Sequence, residues 1–219
     1  MKRLLRTIPV VLFLLPAFLI APVYAGSTPA NFKDACNCVG CHAEYRWDVK
    51  TDEDEPPQNV TNKLTPSAIG AWSGPGGIFT KATPRKGKEK RWYQLTGRVT
   101  LVKLEVDGDL HIQLVDDGAK DDDVNVVVEV PFGEVWCDVR KEVLSWTSQK
   151  FPLQTAGKKF TLNKHPVITV TGKAFYDAIH GGGDTSLNRR PTPKNPAATT
   201  KHVTIWEIHP VMDLKVVKQ

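Results

Sequence analysis

The sequence predicts a mainly β protein: a small barrel of the oligonucleotide/oligosaccharide-binding (OB) type, in the order βββ-α-ββ(β), with an extended N-terminal arm. Three observations point there. From Trp92 onward the chain is rich in β-branched and aromatic residues interrupted by turn formers. One stretch only, Gly133 to Gln149, carries helical periodicity. That stretch follows the third strand segment, where OB barrels carry their helix.

The first strand runs through WYQLTGRVTLVKLEV, residues 92–106, and leads into Asp107-Gly108, a strong hairpin turn pair. Beyond it Leu110, Ile112 and Leu114 alternate with His111 and Gln113, as a half-buried strand requires. A loop with five aspartates, Asp116 to Asp123, lacks the ordered alternation and terminal Glu of a calcium loop and reads as a solvated turn. The third strand, from Val124, stops at Pro131. Val135, Trp136, Val139, Val143 and Trp146 then recur at steps of three and four, which predicts the helix. Strands follow at 167–175, 202–209 and 211–217, with a Gly-, Pro- and Asn-rich loop at 181–200.

Ahead of the barrel, residues 26–91 hold turn-rich segments such as PPQNVTN and SGPGG, and one short helix is expected near Pro66 to Trp72. Lys81, Arg85, Lys86, Lys88, Lys90 and Arg91 form a basic run that reads as a solvated linker. Residues 1–25 read as a secretory signal peptide: Lys2, Arg3 and Arg6 precede an apolar run from Ile8 to Ile20, and small residues end at Ala25. That run is short of the roughly 20 residues a spanning helix needs, so no membrane span is expected after cleavage following Ala25. The division is therefore signal peptide 1–25, arm and linker 26–91, barrel 92–219, in the periplasm or outside the cell. Losing Lys2, Arg3 and Arg6 lowers the formal net charge from +5 to +2, which leaves no strong nucleic-acid signal. Trp92, Tyr93 and Trp206, the candidate base-stacking rings, are assigned to the core or to contacts with the arm.

An exported chain meets an oxidising compartment, so the four cysteines read first as disulfides. Cys38-Val39-Gly40-Cys41-His42 also has the spacing of c-type haem attachment. Haem on Cys38 and Cys41 would leave Cys36 and Cys137 to pair; without it, one of the clustered cysteines pairs with Cys137. With Met212 at the far end of the β region, a haem would need His111, His165, His180, His202 or His209 as its second axial ligand, or would stay five-coordinate. Little helix surrounds His42 to build its pocket.

A second constellation is polar: Asp107, Asp109, His111, Glu129, Asp177, His180, Glu207 and His209. Strand alternation puts Asp109 with His111, and Glu207 with His209, on one face each. Imidazoles and carboxylates on one barrel face can hold a divalent metal or supply acid-base groups for hydrolysis. They serve equally as hydrogen-bonding partners that pin loops to the barrel. No tight ligand spacing, nucleophile elbow or phosphate loop is present, so enzyme status stays open.

The chain resembles a family of uncharacterised exported bacterial proteins with an OB-like β-barrel. Cys41 is followed by Glu44-Tyr45-Arg46-Trp47-Asp48-Val49-Lys50-Thr51, close to the family's Cys and Glu-Arg-Trp-x-Val-Lys-Thr segment, with Tyr45 interrupting it. The likeness continues through 103–111 (KLEVDGDLH), 129–131, Cys137, 170–172, 175–177, His180-Gly181 and 207–211 (EIHPV). The family carries cysteines at the positions of Cys41 and Cys137 and has no Cys-x-x-Cys-His. The resemblance thus implies a Cys41–Cys137 disulfide tying the arm to the barrel's helix. Taken together, the sequence leads to an exported, non-catalytic binding or structural module without cofactor, whose ligand or protein partner is unknown. The alternatives are a monohaem protein through Cys38, Cys41 and His42, and a metal-dependent hydrolase on the polar cluster.

Overall fold

A computed structural model describes residues 31–41, 45–153, 157–181, 185–188, 191–192, 195–199 and 203–219. The expected signal peptide, His42 and His202 lie outside the described residues. The strands are β1 (Asn31–Phe32), β2 (Cys38–Val39), β3 (Lys63–Leu64), β4 (Trp92–Leu104), β5 (Leu110–Val115), β6 (Asn125–Val130), β7 (Val167–Tyr176), β8 (Pro191–Thr192), β9 (Asn195–Thr199) and β10 (Val203–Lys218). The helices are α1 (Trp47–Lys50), α2 (Pro66–Gly70) and α3 (Cys137–Ser145).

Strands β4, β5, β6, β10 and β7 pair in that order, and β7 pairs back onto β4, so the sheet closes into a five-stranded barrel. Every contact around it is antiparallel except β6 with β10, which is parallel. With α3 between β6 and β7, this is the OB-like order expected from the sequence.

Alternation builds the core, and bulges reset it. On β4 the buried apolar residues run Tyr93, Leu95 and Val99, then change phase to Val102 and Leu104. A register irregularity between Val99 and Leu101 absorbs the extra residue. Leu110, Ile112 and Leu114 of β5 and Val126, Val128 and Val130 of β6 face the same core. Val143, Leu144 and Trp146 join it from α3 and its C-cap, and Ile69 from α2. Thr65 caps α2, its hydroxyl accepting from the Ala68 amide, with Pro66 at the first helical position.

The segments 202–209 and 211–217 were expected as two strands; they form one, β10. Pro210 lies where β10 has already parted from β6, whose register with it ends at Ile208, so the missing N–H deprives no ladder on that side. The bend between Ile208 and Val211 pushes the Pro210 carbonyl toward β7, and the facing residue is Gly172. A Cβ on Gly172 would overlap that carbonyl oxygen and come within 2.5 Å of the Ile208 methyl, so only glycine fits.

The cysteines pair differently from the expectation. Cys36 bonds Cys137, with Cα atoms 4.6 Å apart, and Cys38 bonds Cys41; Cys41 and Cys137 are not joined. The cause is local. Asp34 accepts from the Cys36 amide (2.8 Å), and the Cys36 carbonyl accepts from Gly133 N–H (2.8 Å), next to the turn that starts α3. Arg140 of α3 donates to the Ala35 carbonyl. These bonds hold Cys36 over Cys137, while the chain turns through β2 and carries Cys41 onto the Asp107-Gly108 hairpin turn, against Gly108.

The arm packs against the barrel, and part of the basic run is taken inside. Arg85 donates to the carbonyls of Val49, Ala174 and His209 and to the Asp52 carboxylate, so it is an internal tie where a solvated linker was expected. Among the described residues no helix is long and apolar enough to cross a membrane.

Candidate functional site

The outer face of β5, β6, β10 and β7 carries the residues that alternate with the core: His111, Glu129, Glu207, His209 and Phe175. The turn before β5 adds Asp107 and Asp109. Buried side chains dominate here: Asp109 and His209 are 0% exposed.

Glu129 stands between two histidines. Its Oε1 is 3.0 Å from His111 Nδ1 and its Oε2 is 3.1 Å from His209 Nδ1. His209 Nε2 lies 3.2 Å from Asp109 Oδ2. The His209 and Asp109 atoms meet at ion-pair distance without hydrogen-bond alignment. Lys50, from the last turn of α1, extends its ammonium into the group, 3.1 Å from Asp107, 3.8 Å from Asp109 and 3.9 Å from Glu129. Phe175 packs on the His209 ring at 5.5 Å between centroids.

The electrostatics follow from burial working against these partners. Burial opposes a charged His209, but Asp109 and Glu129 outweigh it and raise its pKa above the ordinary imidazole value. Burial likewise opposes the Glu129 carboxylate, yet the His111 hydrogen bond and the close His209 ring, with the charges of His209 and Lys50, hold it well below the usual range. Lys50 is raised despite burial, because Glu129, Asp107 and Asp109 surround it. Asp107 is raised by burial and by the Asp109 charge beside it.

Beside this cluster, Arg46 makes a second tie. Fully buried, it donates to both oxygens of the equally buried Glu89 (2.7 and 3.0 Å) and to the Thr83 carbonyl, and its guanidinium lies over the rings of Phe79 and Phe175. Glu89 also accepts from the Tyr176 amide of β7 (2.9 Å).

Of the eight residues singled out, Asp107, Asp109, His111, Glu129 and His209 converge around Lys50. Asp177, His180 and Glu207 form a separate group at the end of β7, and His180 contacts Asp177 closely. Three donor sets therefore exist among the described residues: Glu105 with His111 and Glu129, Asp109 with Glu129 and His209, and Asp177 with His180 and Glu207. In the middle set the Lys50 ammonium already faces the carboxylates as their cation. Sequence reading missed Lys50, Arg46, Glu89, Arg85, Arg140 and Glu105. Arg46 and Lys50 do fall within the Glu44 to Thr51 segment, four residues apart, as the N-cap and the last residue of α1.

Two recesses open elsewhere on the arm–barrel seam. One, of about 340 Å³, is lined by Ser73, Gly74, Pro75, Lys86, Gly87, Lys88 and Trp206. The other, of about 260 Å³, is lined by Tyr45, Gly77, Ile78, Phe79, Ala178, Ile179 and Thr185. Behind the first, Trp72, Tyr93, Trp206 and Tyr176 form a chain of ring contacts 5.1 to 5.4 Å apart. Tyr93 and Trp206 thus belong to the core, and Trp206 also shows an edge to the recess.

No family model, curated protein or solved structure matches this chain. A β-barrel with two disulfides fits a structural or binding module.

Proposed function

We propose that the protein is an exported, non-catalytic binding module. In this reading the His/carboxylate cluster clamps the arm to the barrel, and ligand enters the recess between residues 73–75 and 86–88. The observation that carries it is the burial of the cluster's centre: His209 and Asp109 are wholly buried, and the Lys50 ammonium already stands 3.8 Å from Asp109 and 3.9 Å from Glu129 as their cation. A general acid or base must reach the proton it moves, and His209 and Asp109 are shut off from solvent. The recess, by contrast, is open and carries two lysines beside glycine-rich walls and an indole. Such a lining suits a small anionic ligand with a flat apolar body.

Export is supported by the N-terminal pattern and by two disulfides, which persist in oxidising compartments. The haem alternative requires the Cys38 and Cys41 sulfurs as thioethers; the Cys38–Cys41 pairing supports the disulfide reading. An intact mass of protein made with its signal, in a host competent for haem attachment, separates the two: haem adds its mass, disulfides subtract only hydrogens.

The binding test uses 8-anilinonaphthalene-1-sulfonate, an aromatic anion, titrated into folded protein at low salt. Saturable 1:1 binding is expected, weakened about tenfold or more in the Lys86→Gln/Lys88→Gln variant, since a charged hydrogen bond is worth about 1.5–3 kcal/mol. Affinity unchanged by that substitution would sink this assignment.

A further inference from the structure

We infer that Cys38–Cys41 is a redox-active disulfide, which exchanges with the dithiol of a partner polypeptide. This goes beyond the binding reading and does not depend on it.

The two disulfides sit in different surroundings. Cys36 and Cys137 are buried, 8% and 7% exposed, and join chain segments 101 residues apart. Cys38 and Cys41 are half-buried, three residues apart, in a loop whose Val39 is 53% exposed. A bridge across so short a ring restrains the unfolded chain little, so it adds least to stability. A Cys-x-x-Cys pair at an accessible surface is also the arrangement that tunes a thiol for exchange. Accessible disulfides are the labile ones and buried ones the structural ones.

The surroundings distinguish the two sulfurs. Cys41 Sγ rests on Gly108, so close that a Cβ there would lie 2.7 Å from it, with the Phe132 ring on the same spot. Gly108 has φ +101°, and its carbonyl accepts from the buried Arg140 guanidinium (3.0 Å). Cys38 lies on the short strand β2 beside exposed Val39; it packs partly on the core, and its Sγ makes a long hydrogen-bond contact, 3.8 Å, to the Val39 carbonyl. We assign the incoming thiolate to Cys38, so Cys41 is the leaving sulfur, departing against the Asp107-Gly108 turn.

A partner thiolate attacks Cys38 Sγ; the Cys38–Cys41 bond breaks and its electron pair leaves on Cys41. The partner's second thiolate then attacks its own sulfur in the mixed disulfide and expels the Cys38 thiolate. The partner dithiol is oxidised by two electrons to a disulfide. Cys38 and Cys41 are reduced, and the two partner thiol protons end on them.

The test uses the full mature chain with both disulfides formed. It is equilibrated in glutathione buffers of graded potential, alkylated and mapped by peptide mass. Cys38 and Cys41 should take up label together while Cys36–Cys137 stays closed and the far-ultraviolet circular dichroism is unchanged. A synthetic peptide with two cysteines should be oxidised by the wild-type chain and at least tenfold more slowly by a Cys38→Ser/Cys41→Ser variant of the same fold. The inference is overturned if Cys38–Cys41 opens only together with Cys36–Cys137 or only in denaturant. It is equally overturned if the variant oxidises the peptide at the wild-type rate, or if Cys38 and Cys41 of the exported protein carry haem.

Discussion

Replacing Lys50 by methionine tests the clamp most directly. Methionine keeps the unbranched stem and removes the ammonium, leaving Asp107, Asp109 and Glu129 facing one another with no permanent cation among them. At an effective dielectric of about 20, each of the three contacts, at 3.1 to 3.9 Å, carries a gross attraction of about 4–5 kcal/mol. Desolvation of the ammonium offsets several kcal/mol of this. Removing one partner of a buried pair costs about 3–5 kcal/mol; with Lys50 14% and Asp107 21% exposed, water relieves part of it, which puts the loss near 3 kcal/mol. Urea unfolding followed by tryptophan fluorescence measures it, and trypsin digestion under native conditions should show faster cleavage within 52–91. In the double variant with Asp109→Asn, removing one of the stranded charges should restore at least about 1 kcal/mol relative to additivity. A loss below about 1 kcal/mol, the size of a surface ion pair, or strict additivity, would refute the clamp.

Stability should also follow pH. His209 is raised, so its contribution is whole below the ordinary imidazole value of 6.5 and is lost as pH climbs through its folded pKa; Glu129 is lowered, so its contribution is whole above 4.5 and fades as pH falls toward its folded pKa. The urea midpoint should therefore peak between pH 4.5 and 6.5, and His209→Gln should flatten the alkaline slope; an unchanged slope would remove His209 from the account. Gly172→Ala should cost about 3 kcal/mol, because the new methyl meets backbone that cannot yield, and lower Tm by roughly 6–12 °C in a melting experiment. Loss of Cys36–Cys137 in a Cys36→Ser/Cys137→Ser variant should cost up to about 4–5 kcal/mol in loop entropy, against about 2 kcal/mol for Cys38→Ser/Cys41→Ser, and comparative urea titrations settle the ranking.

The barrel was legible because its information is local. Asp107-Gly108 announces the first hairpin, Leu110, Ile112 and Leu114 declare an inward face, and the spacing from Val135 to Trp146 can only be helical. Pro210 misled for a physical reason: a proline ends a strand only where its N–H is wanted, and β10 has no partner on that side by then. Half of the polar cluster was legible for the same reason as the strands, since period-two spacing places His111 and His209 on faces. Its cation was not, because Lys50 arrives from a four-residue helix with no periodicity to betray which way it points. The Cys41–Cys137 pairing implied by the resemblance failed, and spacing alone left open which clustered cysteine reaches Cys137. Asp34, Gly133 and Arg140 decide that Cys36, not Cys41, reaches Cys137, and none of the three is a cysteine signal.

The parallel contact of β6 with β10 has a consequence for how the chain matures. Because β10 is paired on both sides, β6 and β7 stay unjoined until residues 203–218 have arrived. A chain that emerges N-terminus first therefore presents all four cysteines to an oxidant before the barrel exists to choose among them. Cys38 and Cys41 can find each other at once across their short loop, which keeps both sulfurs from competing for Cys137. Early closure of that small ring would then act as a chaperone of connectivity, reserving Cys36 for the one pairing that closing the barrel makes permanent.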